Sequence, residues 1–215
     1  MRDAFREQLA RLNATLVEMT GLVRSAVVTS TQALLTADSR LAEQVIDADA
    51  EVDRLKEQVE EQAFDQLARQ QPVAGDLRAL IAALRMVTDL ERMGDLAEHI
   101  AKIARMRYPE TAIPDELRPT IAAMAEVAER MVAAVGETVR TENVEQAHSL
   151  LAEDDEMDRL RRSLFHVMLS PAWKHGVEAA IDIALLGRYY ERIADHAVSM
   201  ARRVIYLVTG TTPAA

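Results

Sequence analysis

One five-residue pattern, Glu-Arg-x-x-Asp, occurs twice in this chain of 215 residues. It reads ERMGD at residues 91–95 and ERIAD at residues 191–195. An earlier pattern is repeated in the same order, as EVDRL at residues 51–55 and EMDRL at residues 156–160. The two motifs recur in the same order, 105 and 100 residues later in the chain, which indicates an internal duplication. The sequence therefore predicts two similar structural units in tandem.

Each unit is predicted to contain three helices. Apolar residues recur every three or four positions, as at Leu12, Leu16, Met19 and Val23, which is the spacing of one helix face. Aromatic residues make up only 4% of the chain, and good helix formers such as Ala, Leu, Arg and Glu are abundant. Short connections make neighbouring helices run in opposite directions. The predicted fold class is all-α, with two tandem three-helix antiparallel bundles and six long helices.

Breaks in the helical pattern give the predicted domain boundaries. The first bundle is expected at residues 1–108, a proline-containing linker at 109–119, the second bundle at 120–208 and a flexible tail at 209–215. Short polar side chains just before a helix can accept hydrogen bonds from its first free N–H groups. The residues expected to cap helices in this way are Asp38 or Ser39, Asp76, and Thr141 or Asn143.

Composition excludes several classes of protein. The chain has no Cys, which excludes disulfides, zinc–thiolate sites and cysteine nucleophiles. Its net charge of -10 disfavours nucleic-acid binding, because that affinity comes largely from Lys and Arg on phosphates. No uncharged stretch approaches the roughly 18 apolar residues of a membrane span, and the N-terminus lacks the apolar segment of a signal peptide. We therefore expect a cytoplasmic protein with no nucleic-acid partner and no direct membrane insertion.

The repeated acids are predicted to share one flank of each helix. With Leu90 at the centre of the buried stripe, Glu91 lies about 100° and Asp95 about 140° round the helix, beside the core and facing outward. Asp49 and Asp53 lie on a similar flank of the preceding helix. Like charges four residues apart disfavour a helix by a few tenths of a kcal/mol, so their recurrence needs an explanation.

Two explanations for the repeated acids are open from the residues alone. Clusters of carboxylate oxygens suit hard or borderline divalent and trivalent metal ions. The alternative is a solvated acidic surface in which neighbouring arginines pair with the carboxylates. The arginines that stand close enough in sequence are Arg54, Arg92, Arg159 and Arg192.

The stretch RQQPVAGDLRALIAALRMVTDLERMGD at residues 69–95, together with the repeated acid pairs, resembles the PhoU family of bacterial regulators, which accompany the high-affinity phosphate ABC transporter. The resemblance covers nearly the whole chain. It implies two three-helix bundles with surface clusters that hold iron, zinc or another divalent or trivalent metal. The metal ligands that the resemblance implies are Asp49, Asp53, Glu91, Asp95, Asp154, Asp158, Glu191 and Asp195. His196 replaces Leu96 and Ala194 replaces Gly94 in the second copy, which argues against equal metal affinity.

The function implied by this resemblance is regulatory and not enzymatic. PhoU-like proteins resemble adaptors between the ATPase subunit of the phosphate transporter and a phosphate-sensing histidine kinase. The chain is therefore expected to control the phosphate-starvation response and phosphate uptake negatively. Its oligomeric state is left open, with a homodimer as one expected assembly. The alternative function is that of a carboxylate-bridged, di-iron-type metal-binding helical protein.

Two histidines suggest further, weaker alternatives. Glu145 and His148 form one Glu-x-x-His motif, whereas a di-iron bundle needs two such motifs and the chain has no second copy. His99, in EHIAK, is similar to a phosphotransfer histidine on a helical bundle. The simpler interpretation of His99 is a solvated surface residue.

Overall fold

The computed structural model describes residues 2–151, 154–211 and 213, and the side chains of residues 2–4 and 154 lie outside that description. The described residues form α-helices and one short 3-10 helix, Asp115–Leu117, and contain no strand. The helices are α1 (Arg2–Thr36), α2 (Ser39–Gln70), α3 (Gly75–Arg107), α4 (Arg118–Thr141), α5 (Val144–Leu151), α6 (Asp154–Met168) and α7 (Gly176–Thr209). The all-α prediction is confirmed. The predicted fifth helix corresponds to α5 and α6, on either side of residues 152–153.

Two of the predicted capping residues begin helices, at α2 and α5. The Asp38 carboxylate caps α2 by accepting hydrogen bonds from backbone N–H groups two and three residues later, at 2.9 and 3.1 Å. Asn143 caps α5 in the same way, at 2.9 and 3.1 Å. The predicted cap at Asp76 is wrong, because α3 begins one residue earlier, at Gly75, with no side-chain cap. Asp76 instead lies in the first turn, where its negative charge complements the helix dipole.

The two units pack side by side through their first and last helices. In the first unit α1, α2 and α3 contact one another, and in the second unit α7 contacts α4, α5 and α6. The units meet where α1 packs on α4 and α3 packs on α7. These four helices form the centre of the molecule, with α2 on one side and α5 and α6 on the other. No helix among the described residues combines the length and the apolar character needed to cross a membrane.

Close contacts join the two units at this centre. Gly136 in α4 approaches α1 so closely that a Cβ atom there would lie 2.6 Å from Thr20 Oγ1. Tyr190 in α7 is fully buried, and its hydroxyl lies 2.8 Å from Thr31 Oγ1 in α1. Burial raises the pKa of Tyr190 well above its ordinary value, so the hydroxyl keeps its proton. The apolar core is therefore continuous from one unit to the other.

Candidate functional site

The four predicted metal ligands of the first unit lie close enough between α2 and α3 for their charges to interact. Burial, followed by the negative charges of Glu98, Asp95 and Asp53, raises the pKa of Asp49 to about 6, although Lys102 lowers it. Burial and Glu91 likewise raise the pKa of Asp95. We call Asp49, Asp53, Asp95 and Glu98 the first acid cluster. Its members repel one another across the α2–α3 groove.

Glu98 is a member of this cluster that the sequence analysis missed. It follows Asp95 by three residues and so lies on the same flank of α3, which is the signal that could have identified it. Its side chain is only 15% exposed and accepts a hydrogen bond from Lys102 Nζ at 2.5 Å. Val198 holds the corresponding place in the second unit, so the second unit has no equivalent carboxylate.

Gly94 explains how Asp49 comes so close to α3. A Cβ atom at Gly94 would lie 2.9 Å from Asp49 Oδ1, so the missing side chain leaves room for the carboxylate beside the helix backbone. In the second unit Ala194 stands at the position of Gly94, and the side chain of the predicted ligand Asp154 lies outside the described part of the structure. The two copies therefore differ in sequence at the position that, in the first unit, leaves room for Asp49.

The repeated glutamates Glu91 and Glu191 each form an ion pair between helices. Lys56 Nζ lies 2.8 Å from Glu91 Oε1, and Arg161 Nη1 lies 3.1 Å from Glu191 Oε1. Lys56 and Arg161 hold the same place in the two copies, directly after EVDRL and EMDRL. The glutamate of the repeated motif therefore links α2 to α3 in the first unit and α6 to α7 in the second unit.

The predicted outward orientation of these two glutamates is wrong. The side chains of Glu91 and Glu191 are only 12% and 11% exposed. A helical wheel gives the angular position of a residue on one helix, but it does not show which neighbouring helix covers that flank. Here α2 and α6 cover it, so the glutamates need cationic partners to offset the loss of water.

Replacing Glu191 with Gln is expected to lower the free energy of unfolding by about 1 kcal/mol, because the amide keeps the shape but not the charge that faces Arg161 and Arg188. Urea denaturation at neutral pH measures the change. Glu137→Gln is the control, since Glu137 pairs with Arg140 on an exposed surface of α4 and should have no measurable effect. Equal effects of the two substitutions would contradict a structural role for Glu191.

In the second unit the structure brings Glu191 and Asp195 together. Burial and the Glu191 charge raise the pKa of Asp195, while Arg188 and Arg192 lower it. Asp158 is exposed on α6 and forms no ion pair or hydrogen bond with another described residue. The predicted ligand Asp154 has its side chain outside the described part of the chain.

The arginines proposed to neutralise the acids do so in part. Arg92 Nη1 lies 3.0 Å from Asp95 Oδ2, whereas Arg54 Nη2 lies 2.6 Å from Glu51 Oε1, which is not one of the predicted ligands. Arg192 instead lies 3.4 Å from His196 Nε2. The pair between the arginine and the second acid of the motif thus forms in the first copy and not in the second, and the first acid cluster keeps an excess of negative charge.

The first unit has the chemistry of a cation site without the geometry of a formed one. Glu91 Oε2 is buried and accepts no hydrogen bond from the described residues, although Arg92 Nε lies 3.5 Å away as an ion-pair partner. However, no three Asp, Glu or His side chains in the described residues lie close enough together to hold one metal ion. Binding of iron, zinc or another metal by the eight predicted ligands therefore stays a prediction.

The weaker histidine motifs lie on the surface. His99 is exposed, its Nδ1 lies 2.5 Å from the backbone oxygen of Asp95, and its ring centroid is 5.4 Å from that of Tyr189. Glu145 and His148 are both exposed on α5. None of these contacts provides a second Glu-x-x-His pair or a phosphotransfer partner.

A buried polar network between α3 and α7 was not predicted. Asp89 is buried, and its carboxylate lies 3.0 Å from His196 Nδ1, 2.8 Å from Arg203 Nε and 3.3 Å from Ser199 Oγ. His196, which distinguishes the second copy of the repeat from the first, is thus used to join the two units. No local signal identified Asp89, since its counterpart in the other copy is Tyr189.

Comparison with known proteins gives matches along the whole chain. A family model described as the PhoU domain matches residues 16–104 and 121–204. The phosphate-specific transport system accessory protein PhoU homolog 2 of Mycobacterium tuberculosis is 50% identical over 213 residues, which are 99% of this chain and 100% of that protein. PhoU homolog 1 of Mycobacterium leprae is 48% identical over 99% of this chain and 96% of that protein.

A solved structure shows the same fold. The crystal structure of PhoU from Pseudomonas aeruginosa is 30% identical in sequence and superimposes with a TM-score of 0.85. The match covers 96% of this chain and 100% of that chain. The two matched PhoU domains correspond to the two units of the internal duplication.

Proposed function

Since this chain belongs to the PhoU family, we propose that it is a cytoplasmic accessory protein of phosphate transport that restrains the phosphate-starvation response and phosphate uptake. In this proposal it acts without catalysis, as an adaptor that contacts the ATPase subunit of the phosphate ABC transporter and a phosphate-sensing histidine kinase. The observation that carries the proposal is full-length similarity, at about half of all positions, to relatives named as accessory proteins of the phosphate-specific transport system.

The surface of the second unit supports a role in binding other proteins. Val177, Ile181 and Leu185 recur every four residues on α7, and their exposed fractions are 76%, 54% and 40%. Leu169, directly after the last residue of α6, is 81% exposed. Large apolar side chains grouped on a surface are typical of protein interaction sites. An adaptor needs such surfaces, whereas a metal store does not.

The proposal predicts high phosphatase activity in phosphate-rich medium when the gene for this protein is deleted. Loss of a negative regulator leaves the starvation response active although phosphate is plentiful, and secreted phosphatase activity measures that response. Complementation with the intact chain should restore low activity. Because mycobacterial relatives are numbered as homologs 1 and 2, the strain must also lack any second copy of the gene.

The control is growth in phosphate-poor medium, where the parent and deletion strains should both show high phosphatase activity. Low activity in the strain that lacks every copy, grown with ample phosphate, would contradict negative control. Co-purification of the full chain with the transporter ATPase subunit and with the kinase, tested separately, then examines the adaptor role. Failure to bind either protein would contradict that role without affecting the phosphatase result.

A further inference from the structure

A groove rich in arginine lies on the seam between the two units, beside the Asp89 network. It has a volume of about 650 Å³ and runs between α3 and α7. Its polar lining consists of Arg85 from α3 and of Asp195, Ser199, Arg202, Arg203 and Tyr206 from α7. We call it the arginine groove. Its size falls within the usual range of small-molecule sites, about 300–1,000 Å³.

The cations of this groove are only partly neutralised. Arg203 donates to Asp89 Oδ2 through Nε, at 2.8 Å. The side chains of Arg85 and Arg202 form no ion pair or hydrogen bond with any described residue, and Arg202 Nε is buried without a partner. Buried donors normally find an acceptor. Since Arg203 is paired with Asp89, the groove presents two unpaired guanidinium groups, those of Arg85 and Arg202, and one lining carboxylate, that of Asp195, in a protein of net charge -10.

The internal duplication shows that these cations are not a by-product of the repeat. The duplication relates one end of the α3–α7 interface to the other. Asp89 contacts Ser199 at one end, and the corresponding residues, Tyr189 and His99, contact each other at the other end. The counterparts of the three arginines are Leu185, Lys102 and Ile103. Lys102 is already paired with Glu98. Only one of the two related ends of the seam has therefore acquired unpaired arginines.

We propose that the arginine groove binds a phosphate-bearing anion. The planar guanidinium group donates two parallel hydrogen bonds to a phosphate, which makes arginine well suited to this ligand. Arg85 and Arg202 supply the unpaired guanidinium groups, and Tyr206, which also lines the groove, carries a hydroxyl that can donate a further hydrogen bond. The ligand is either free orthophosphate or a chain of condensed phosphates. The site itself follows from the groove, while its use as a phosphate sensor rests on the proposed function.

Direct binding measurements on the purified full chain test the site. Isothermal titration calorimetry is carried out with orthophosphate and, separately, with tripolyphosphate. We expect saturable binding of at least one probe at one equivalent per chain. The double variant Arg85→Gln/Arg202→Gln should bind at least about tenfold more weakly, because it loses charge-assisted hydrogen bonds. The tighter probe identifies which of the two phosphate sources the groove accepts.

A matched control separates the groove from the overall charge of the protein. Arg140→Gln/Arg162→Gln removes the same charge from exposed arginines on α4 and α6 and should leave binding unchanged. Far-UV circular dichroism checks that each variant keeps its helices. Absence of saturable binding of both probes to the unmodified chain would overturn the proposal, and so would equal weakening in the two double variants.

One further substitution tests whether the groove favours an anion, through the direction in which it changes phosphate affinity. Asp195→Asn removes the carboxylate that faces the arginines, so phosphate should bind severalfold more tightly. Weaker phosphate binding would overturn the proposal, because an anion bound in this groove should be repelled, not held, by the Asp195 carboxylate. The phosphatase assay with Arg85→Gln/Arg202→Gln then examines sensing. If the variant loses the anion in solution but still represses phosphatase, the groove is confirmed as a site but rejected as the sensor.

Discussion

Replacing Asp89 with Asn is expected to destabilise the protein by about 2–4 kcal/mol at neutral pH, the largest effect anticipated for a single polar substitution in this chain. Asp89 is buried and accepts hydrogen bonds from His196, Ser199 and Arg203 of the other unit. The substitution leaves Arg203 without its anion at the seam between the units. Urea denaturation at neutral pH measures the loss.

The pH dependence of this effect has a definite sign. Burial raises the pKa of Asp89, but the hydrogen bonds and charges of His196 and Arg203 outweigh burial and hold the pKa below its ordinary value. A carboxyl group with a lowered pKa in the folded state stabilises the fold above its unfolded pKa, and this stabilisation is lost as the pH falls through the folded value. The difference between the two proteins should therefore shrink below about pH 4.

Asp65→Asn is the matched control for Asp89→Asn. Asp65 pairs with Arg69 one helical turn away, at 2.5 Å, and the two side chains are 40% and 73% exposed. Exposed pairs of this kind contribute little to stability, so the control should unfold at nearly the same urea concentration as the unmodified chain. A comparable loss in both variants would show that the inter-unit network has no special role.

Replacing Asp49 with Asn is expected to stabilise the metal-free protein by about 1–2 kcal/mol at pH 8. The pKa of Asp49 is raised to about 6 by burial and then by Glu98, Asp95 and Asp53. A shift of about two pH units corresponds to about 3 kcal/mol, and partial exposure of the cluster reduces the expected gain. The charged form is disfavoured in the fold, so the gain is present above pH 6 and disappears as the pH falls towards 4.

The same substitution tests the metal hypothesis. If the first acid cluster binds iron, zinc or a similar ion, that ion should raise the melting temperature of the unmodified chain and neutralise the repulsion. Asp49→Asn should then be the less stable protein with metal and should carry less metal by elemental analysis. Asp47→Asn, exposed on the same helix, is the control. If added metal does not raise the melting temperature of the unmodified chain, and Asp49→Asn carries as much metal as the unmodified chain, the first acid cluster is not a metal site.

Much of the fold could be predicted because its signals are local. Apolar residues spaced by three and four define α1, and Asp38 and Asn143 cap helices through their own backbone neighbours. The repeated motifs indicated two related units before any contact was known. The error at Asp76 was also local, since α3 begins at Gly75, two residues earlier than a cap at Asp76 would place it.

Only part of the candidate site could be predicted, because helical periodicity fixes positions on one helix but not the contacts between helices. The sequence by itself determined which acids share a helix flank, because side-chain direction follows from helical periodicity. Only the tertiary structure decided that Glu91 and Glu191 are covered and paired, that Asp89 joins the two units, and that Arg85 meets Arg202 in one groove. These contacts depend on how helices far apart in the chain pack together, and burial in that packing sets the charge, pKa and partner of each group.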